Sequence, residues 1–373
     1  MLRISLILLM IIFFVNCEQV NIPNQHKVNI SVDVSSNYNI TLERIGGFTI
    51  DNNSEVRLDR MKNIVAFNHR EDRIAWVNDD INRIFVTDNK GNLICAFGSS
   101  GRGPEEFLEV SIFGFNSKDH VIVYDARQAM FKQFDDNCNF VQTVAGLEDS
   151  GIWLLPNLLF TSKDNRIYVG AEEQSKANER NFWKSKTIAV FDYNLNLKKV
   201  FGDFDPDLEG GSYLYSFPIV TYDRPKGQIY TMHRTAPTIQ IYDEENGKFI
   251  GRFGLKSGSF SEPEDRAKLS DPMHIRRQKN LEQSFVGQSF VSENYFFFQH
   301  YRITEELLHY SDPFLRNSYF NIYDINNQYK LLGELQLHHV ALYISRAGEI
   351  YLLEDNDPDN FTIGIYEIKK SEI

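Results

Sequence analysis

Short apolar segments separated by polar turns recur along most of the chain, and their order repeats six times. Each repeat has an apolar strand, a polar loop, a second apolar strand that ends in an acidic residue, and a turn rich in Asn, Gly and Lys. Apolar and polar residues alternate within these segments, which is typical of strands with one buried face. The acidic residues that mark the repeats are Asp88, Asp135, Asp192, Asp243, Asp324 and Glu367.

A further apolar strand precedes each repeat, and another follows each marker acid except the last, so a complete unit has four strands. The preceding strands are predicted at residues 63–67, 110–115, 154–161, 217–222, 289–292 and 340–344. Four antiparallel strands form one propeller blade. We therefore predict an all-β fold, a six-bladed β-propeller, over residues 39–370. A set of β-sandwiches is the alternative, but sandwiches need no sixfold recurrence.

The last repeat runs out of chain after its third strand, at Ile368. Residues 39–45 precede the first blade and are predicted to supply the missing outer strand. Closing the ring in this way removes two open sheet edges, which are sites of aggregation. We therefore expect the N-terminal strand to close the last blade.

The first 17 residues are predicted to be a targeting signal. Arg3 precedes an apolar run at residues 4–15 that is shorter than the ~20 residues of a membrane-spanning helix and fits a secretory signal. Residues 14–17, Phe-Val-Asn-Cys, resemble a bacterial lipobox, whose cysteine becomes the acylated first residue. The resemblance implies lipidation of Cys17, a polar tether at residues 18–38, and a place in the bacterial cell envelope. A cleaved signal without lipid and an uncleaved anchor are the alternatives.

A glycine-rich segment at residues 97–107, FGSSGRGPEEF, carries a second resemblance. It resembles the FGxxGxGPGEF segment of six-bladed propeller lipoproteins of Bacteroidetes-type bacteria, which are similar to NHL-repeat propellers; Glu105 stands where that family has Gly. The resemblance implies the propeller fold and an envelope location. The glycines would permit positive φ between blades, with Phe97 and Phe107 packed at the seam. An anion-binding loop, the alternative, would need a helix after it, and residues 110–115 are predicted as strand.

Composition limits the possible partners. The 373 residues include 39 Lys and Arg against 51 Asp and Glu, a net charge of −12 without a long basic run, which argues against nucleic acid. Acylation of Cys17 would leave Cys95 and Cys138. Two cysteines do not make a disulfide framework, so we expect free thiols, with one bridge in an oxidising compartment as the alternative.

Candidate binding residues follow from aligning the second strands. The chain has no zinc-protease, P-loop or nucleophile-elbow motif and no paired CxxC. Loops between second and third strands open at one mouth of the channel, and they would hold Asp79, Arg127, Glu172, Arg234 and Asp355. The predicted ligand-binding residues at this mouth are Arg127, His233, Arg234, His300, Tyr301, Arg302 and Trp183.

The arginines are the most specific of these candidates. A guanidinium matches carboxylate, sulfate or phosphate at two points, and Tyr301 and Trp183 would offer stacking faces. The alternative is solvated loop charge, each arginine pairing with an acid of a neighbouring blade.

We therefore expect a lipid-anchored, non-catalytic binding module for an anionic glycan or peptide, or for an envelope protein. It would need no cofactor and would meet the membrane only through its lipid. The alternative is a metal-dependent hydrolase or lyase with its site in the central channel. Candidate ligands for that metal on the inner strands are Asn63, Asp223, Glu293 and His339.

Overall fold

The computed structural model describes residues 38–51, 64–145, 147, 150–173, 182–209, 217–254, 258–262, 265–268, 270–305, 317–357 and 360–372. The predicted signal with Cys17, nearly all of the tether, and Asn63 lie outside these residues. Six antiparallel sheets follow one another along the chain as the blades of a propeller. The predicted all-β, six-bladed fold is confirmed.

The first two blades are contiguous in sequence. Blade 1 contains β2 (Ala66–Phe67), β3 (Arg73–Asn78), β4 (Arg83–Asp88) and β5 (Leu93–Phe97). Blade 2 contains β6 (Val110–Phe115), β7 (Val121–Asp125), β8 (Met130–Phe134) and β9 (Phe140–Ala145).

Blade 3 differs from the prediction in its first strand. It contains β10 (Ile152–Leu154), β12 (Phe160–Thr161), β13 (Ile167–Glu173), β14 (Lys186–Phe191) and β15 (Leu197–Asp203). Both β10 and β12 pair with β13, whereas the intervening β11 (Asn157–Leu158) pairs in parallel with β6 of blade 2. The interruption coincides with Pro156, which has no N–H to donate to a ladder.

The remaining blades have the predicted strands in the predicted order, although several strands of blades 5 and 6 are longer than predicted. Blade 4 contains β16 (Pro218–Asp223), β17 (Gln228–His233), β18 (Ile239–Asp243) and β19 (Phe249–Phe253). Blade 5 contains β20 (Ser284–Val291), β21 (Tyr295–Arg302), β22 (Asn317–Asp324) and β23 (Lys330–Leu337). Blade 6 contains β24 (Val340–Ile344), β25 (Ile350–Asp357), β26 (Asn360–Glu372) and, from the N-terminal side, β1 (Tyr38–Asp51).

The N-terminal strand closes the ring, as expected. β1 pairs with β26 from Tyr38↔Glu372 to Asp51↔Asn360, with a bulge between Arg44 and Gly46. The closing strand is therefore longer than the predicted residues 39–45.

Helices are few in the described ranges. One α-helix, α1 (Met273–Glu282), lies in the insertion between blades 4 and 5, and two 3-10 turns cover Phe182–Lys184 and Pro206–Leu208. None of these described helices has the length and apolar character needed to cross a membrane. The helix was not predicted, because its segment is strongly polar.

The glycine-rich segment packs between blades 1 and 2. Phe107 is fully buried, and the rings of Phe97 and Phe134 stack with centroids 4.0 Å apart. Gly98 has φ +86°, and a Cβ there would lie 2.6 Å from the Phe107 ring. The Glu106 carboxylate accepts the Gly103 N–H at 2.8 Å, so the loop's own acid occupies the position an external anion would take. The segment is therefore structural.

The two described cysteines form a disulfide, so the expectation of free thiols is wrong. Cys95 lies in β5 of blade 1 and Cys138 in the turn between β8 and β9 of blade 2, with Cα atoms 6.1 Å apart. The bridge joins outer parts of neighbouring blades. The sequence separation of 43 residues does not show that Cys95 and Cys138 meet between neighbouring blades.

Reduction of this bridge should destabilise the protein. Opening a loop of this length returns chain entropy to the unfolded state, so we expect the free energy of unfolding to fall by about 2–4 kcal/mol. Urea unfolding with and without dithiothreitol measures the change. The double variant Cys95→Ala/Cys138→Ala should already show the loss and should not respond to reductant. Equal stability of the oxidised and reduced native protein would contradict the bridge.

Candidate functional site

A cavity of about 150 Å³ lies among the first strands of the blades. All six blades contribute to its wall, through residues 66–69, 71, 115, 158–161, 219–225, 288–293, 343, 344 and 346. Its charged residues come from the loops that join first and second strands. The prediction placed ligands at the other end of the channel, where second and third strands join.

The loops at the charged end share a capping pattern. Each begins with a polar side chain that accepts a backbone N–H of its own turn, as Asx and Ser turns do. These caps are Asn68, Asn116, Ser162, Asp223, Ser292 and Ser345. Because the caps hold the six loops in the same way, the residue after each cap occupies an equivalent position around the propeller axis. Those next residues are His69, Ser117, Lys163, Arg224, Glu293 and Arg346.

Three of these side chains from different blades influence one another. Burial lowers the pKa of His69 to about 4, and the positive charges of Arg224 and Arg346 lower it as well, while Asp119 opposes the shift. His69 belongs to blade 1, Arg224 to blade 4 and Arg346 to blade 6. The ring therefore brings basic groups from three blades to one mouth.

The guanidinium groups of the two arginines at this mouth are not hydrogen-bonded to any described residue. Within the described parts of the chain, neither guanidinium of Arg224 and Arg346 forms a hydrogen bond or a close ion pair, and Nε of Arg224 is buried. Nε2 of His69 is also buried and has no hydrogen-bond partner there. Buried donors normally have an acceptor, so these groups are candidates for holding a ligand.

Acidic groups complete the mouth. The Glu71 carboxylate accepts the Tyr343 hydroxyl at 3.0 Å and the Arg346 backbone N–H at 2.8 Å, and burial raises the pKa of Glu71. Asp223 is 3% exposed and accepts the Lys226 N–H at 3.1 Å, and burial raises its pKa too. The mouth thus offers acceptors beside unpaired donors.

Aromatic side chains line the rest of the cavity. The rings of Phe67 and Tyr343 stack with centroids 3.8 Å apart, and Tyr222 and Phe160 lie on the wall contributed by blades 3 and 4. The Tyr222 hydroxyl donates to Glu244 at 2.7 Å, which fixes its ring. Apolar walls with a few convergent polar groups are typical of small-ligand sites.

Two of the sequence-predicted residues lie inside the blades. His233 is fully buried with its ring 4.7 Å from that of Phe204, and burial lowers its pKa to about 3. His300 is also fully buried, stacks on Tyr319 at 5.3 Å and places Nε2 3.4 Å from the Glu334 carboxylate. Their strands continue past the predicted ends, so both residues lie within strands and not in the loops of the mouth.

Arg234 and Tyr301 are brought together by the structure. Arg234 donates to the Tyr301 hydroxyl at 3.1 Å, across the seam between blades 4 and 5. Arg302 beside them donates to the Ser259 carbonyl at 3.3 Å.

Arg127 and Trp183 make other contacts. Arg127, on blade 2, pairs with Glu109 at 3.1 Å, and Trp183 packs on Phe204 and Leu208. The three arginines predicted at the mouth where second and third strands join therefore have protein partners. The guanidinium groups of the two cavity arginines have none among the described residues.

No metal cluster is apparent where the structure is described. No group of three or more His, Cys, Asp or Glu side chains comes together among those residues. Two residues proposed for such a centre, Asp223 and Glu293, do line the cavity, and Asn63 lies outside the described ranges.

Comparison with known proteins agrees with this architecture. Residues 44–205 match the family model DUF5128, described as 6-bladed beta-propeller. The chain is a six-bladed β-propeller. The predicted resemblance to six-bladed propellers of Bacteroidetes-type bacteria is confirmed. A search of curated proteins gave no match.

Two solved propeller structures share its fold. A member of the DUF4221 family from Bacteroides vulgatus has a TM-score of 0.66 at 12% identity, over 90% of this chain and 100% of its own. A protein from Bacteroides fragilis, named as exported, has a TM-score of 0.56 at 12% identity, over 91% of this chain and 97% of its own. At such identity the likeness shows the fold alone.

Proposed function

We propose that this propeller is a non-catalytic binding module that takes an acidic sugar of a glycan into its central cavity. The observation that supports the proposal is the pair of guanidinium groups of Arg224 and Arg346, which line one cavity mouth and form no hydrogen bond with the described residues. A carboxylate or sulfate would satisfy them, because guanidinium forks bind such groups at two points.

The surroundings favour a sugar as the body of the ligand. Glu71, Asp223 and Glu293 provide acceptors for hydroxyl groups beside the arginines. Phe67 and Tyr222 provide apolar faces for a pyranose ring. An inorganic anion alone would leave the acids facing it, whereas a sugar acid places its charge on the arginines and its hydroxyls on the acids.

The opposite mouth is the competing location. The rim first predicted there holds Arg127, Arg234, Arg302 and Tyr301, and its arginines already have protein partners. A ligand at that rim would have to replace these contacts, so we place the ligand in the cavity.

We also propose an envelope location with a lipid anchor at Cys17. The disulfide between Cys95 and Cys138 supports an oxidising compartment, since such bridges are rare in the cytosol. Replacing Cys17 with Ala should move the protein from the membrane fraction to the soluble fraction after cell lysis. Retention of the variant in the membrane fraction would contradict the anchor.

Binding of galacturonate should depend on the cavity arginines. A charged hydrogen-bond pair contributes about 1.5–3 kcal/mol, so Arg224→Gln and Arg346→Gln should each weaken binding at least tenfold in titration calorimetry. Galactose, which lacks the carboxylate, should bind weakly to the native protein.

Arg127→Gln is the matched control, because Arg127 lies at the other mouth. Its affinity for galacturonate should equal that of the native protein. Loss of binding in this control with retention in Arg224→Gln would move the site to the opposite rim. Absence of binding for uronates and sulfated sugars alike would contradict the proposal.

A further inference from the structure

Blade 3 contains a buried glutamate that has no partner among the described residues. Glu172, near the end of β13, is 7% exposed and forms no hydrogen bond or ion pair in the described structure. Trp153 is directly opposite it in the β10–β13 ladder and is 47% exposed, which is unusual for an indole. Directly opposite residues of an antiparallel pair have Cβ atoms about 4.5–5.5 Å apart on one face of the sheet.

This pair lies at the seam between blades 3 and 4. Leu154 and Ala171, which neighbour the pair in the two strands, belong to the core shared with blade 2. Successive side chains of a strand lie on opposite faces of the sheet, so Trp153 and Glu172 face away from blade 2. Gly170, two residues before Glu172 on the same face, would place a Cβ 3.3 Å from the Pro218 carbonyl of blade 4. The pair is at the end where second and third strands join, away from the charged mouth of the cavity.

No positive charge among the described residues pairs with the Glu172 carboxylate. Burial alone raises the pKa of Glu172 to about 7, and the neighbouring charged residues Glu173, Lys184 and Lys186 contribute nothing to the shift. Buried carboxylates are normally paired, because an unpaired charge is costly away from water. The exposed indole beside it has a negative face that attracts cations.

We propose that Trp153 and Glu172 form a second site, which binds an alkylammonium group such as that of a lysine side chain or an amino sugar. The ammonium would pair with the Glu172 carboxylate, and the carbon skeleton would lie on the Trp153 ring. This site is independent of the acidic-sugar site in the cavity and requires the opposite ligand charge.

Titration of the full-length protein with Nα-acetyl-lysine methylamide and with glucosamine tests the proposal. At least one should bind, and the two arms distinguish a peptide from a sugar as the source of the ammonium. Their Nε-acetylated and N-acetyl counterparts, which lack the charge, should bind at least tenfold more weakly. Equal binding of charged and acetylated compounds would overturn the proposal, as would binding of neither amine.

Three variants locate the site. Glu172→Gln should weaken amine binding at least tenfold and Trp153→Ala severalfold, whereas Glu173→Gln, the neighbour on the opposite face, should bind like the native protein. Unchanged affinity in Glu172→Gln would overturn the proposal.

Proton release gives a readout that does not need a variant to fold. Pairing with an ammonium favours the ionised form of Glu172, so amine binding near pH 7 should release part of a proton. The heat of binding should then differ between phosphate and Tris buffers for the native protein. Equal heats in the two buffers would contradict the pairing. Galacturonate binding in the cavity should persist in Glu172→Gln, so failure of one site is distinguishable from failure of the other.

Discussion

The pairing of β1 with β26 is the interaction on which the rest of the molecule depends. Each of blades 1 to 5 takes its antiparallel strands from one stretch of chain, with β11 added in parallel to blade 2, whereas blade 6 has its outer strand from residues 38–51. This long ladder ties the two ends of the described chain together and fixes blade 6 beside blade 1. Glu71 of blade 1 bonds to Tyr343 and Arg346 of blade 6 across that same seam. The charged mouth of the cavity therefore exists only in the closed ring.

The sequence pattern predicted what depends on local periodicity. Six repeats, their marker acids and the closing strand are all visible in the alternation of residues, and the structure confirms them. The five marker aspartates cap their turns, as Asp88 does by accepting the N–H groups of Lys90 and Asn92 at 2.9 and 2.8 Å, whereas Glu367 lies within β26. Blade 3 departs from the pattern only where Pro156 interrupts the ladder.

Features that depend on contacts between blades were not predictable in the same way. The bridge between Cys95 and Cys138 needs two outer segments to be neighbours in space. Arg127 and Arg224 are both loop arginines in sequence, but Arg127 has Glu109 beside it, whereas no described residue pairs with the Arg224 guanidinium. The repeated caps before His69, Arg224 and Arg346 were visible in the sequence, and they are the signal that could have pointed to the charged end of the channel.

Titration of His69 by NMR tests the convergence of blades 1, 4 and 6 most directly. The account predicts a pKa near 4, well below the ordinary 6.5, and a higher value in Arg224→Gln, because removing a positive charge eases protonation. Since the folded state takes up this proton less readily than the unfolded state, stability should fall as the pH drops from about 6.5 to about 4. A His69 pKa near 6.5 in both proteins would contradict the closed, convergent mouth.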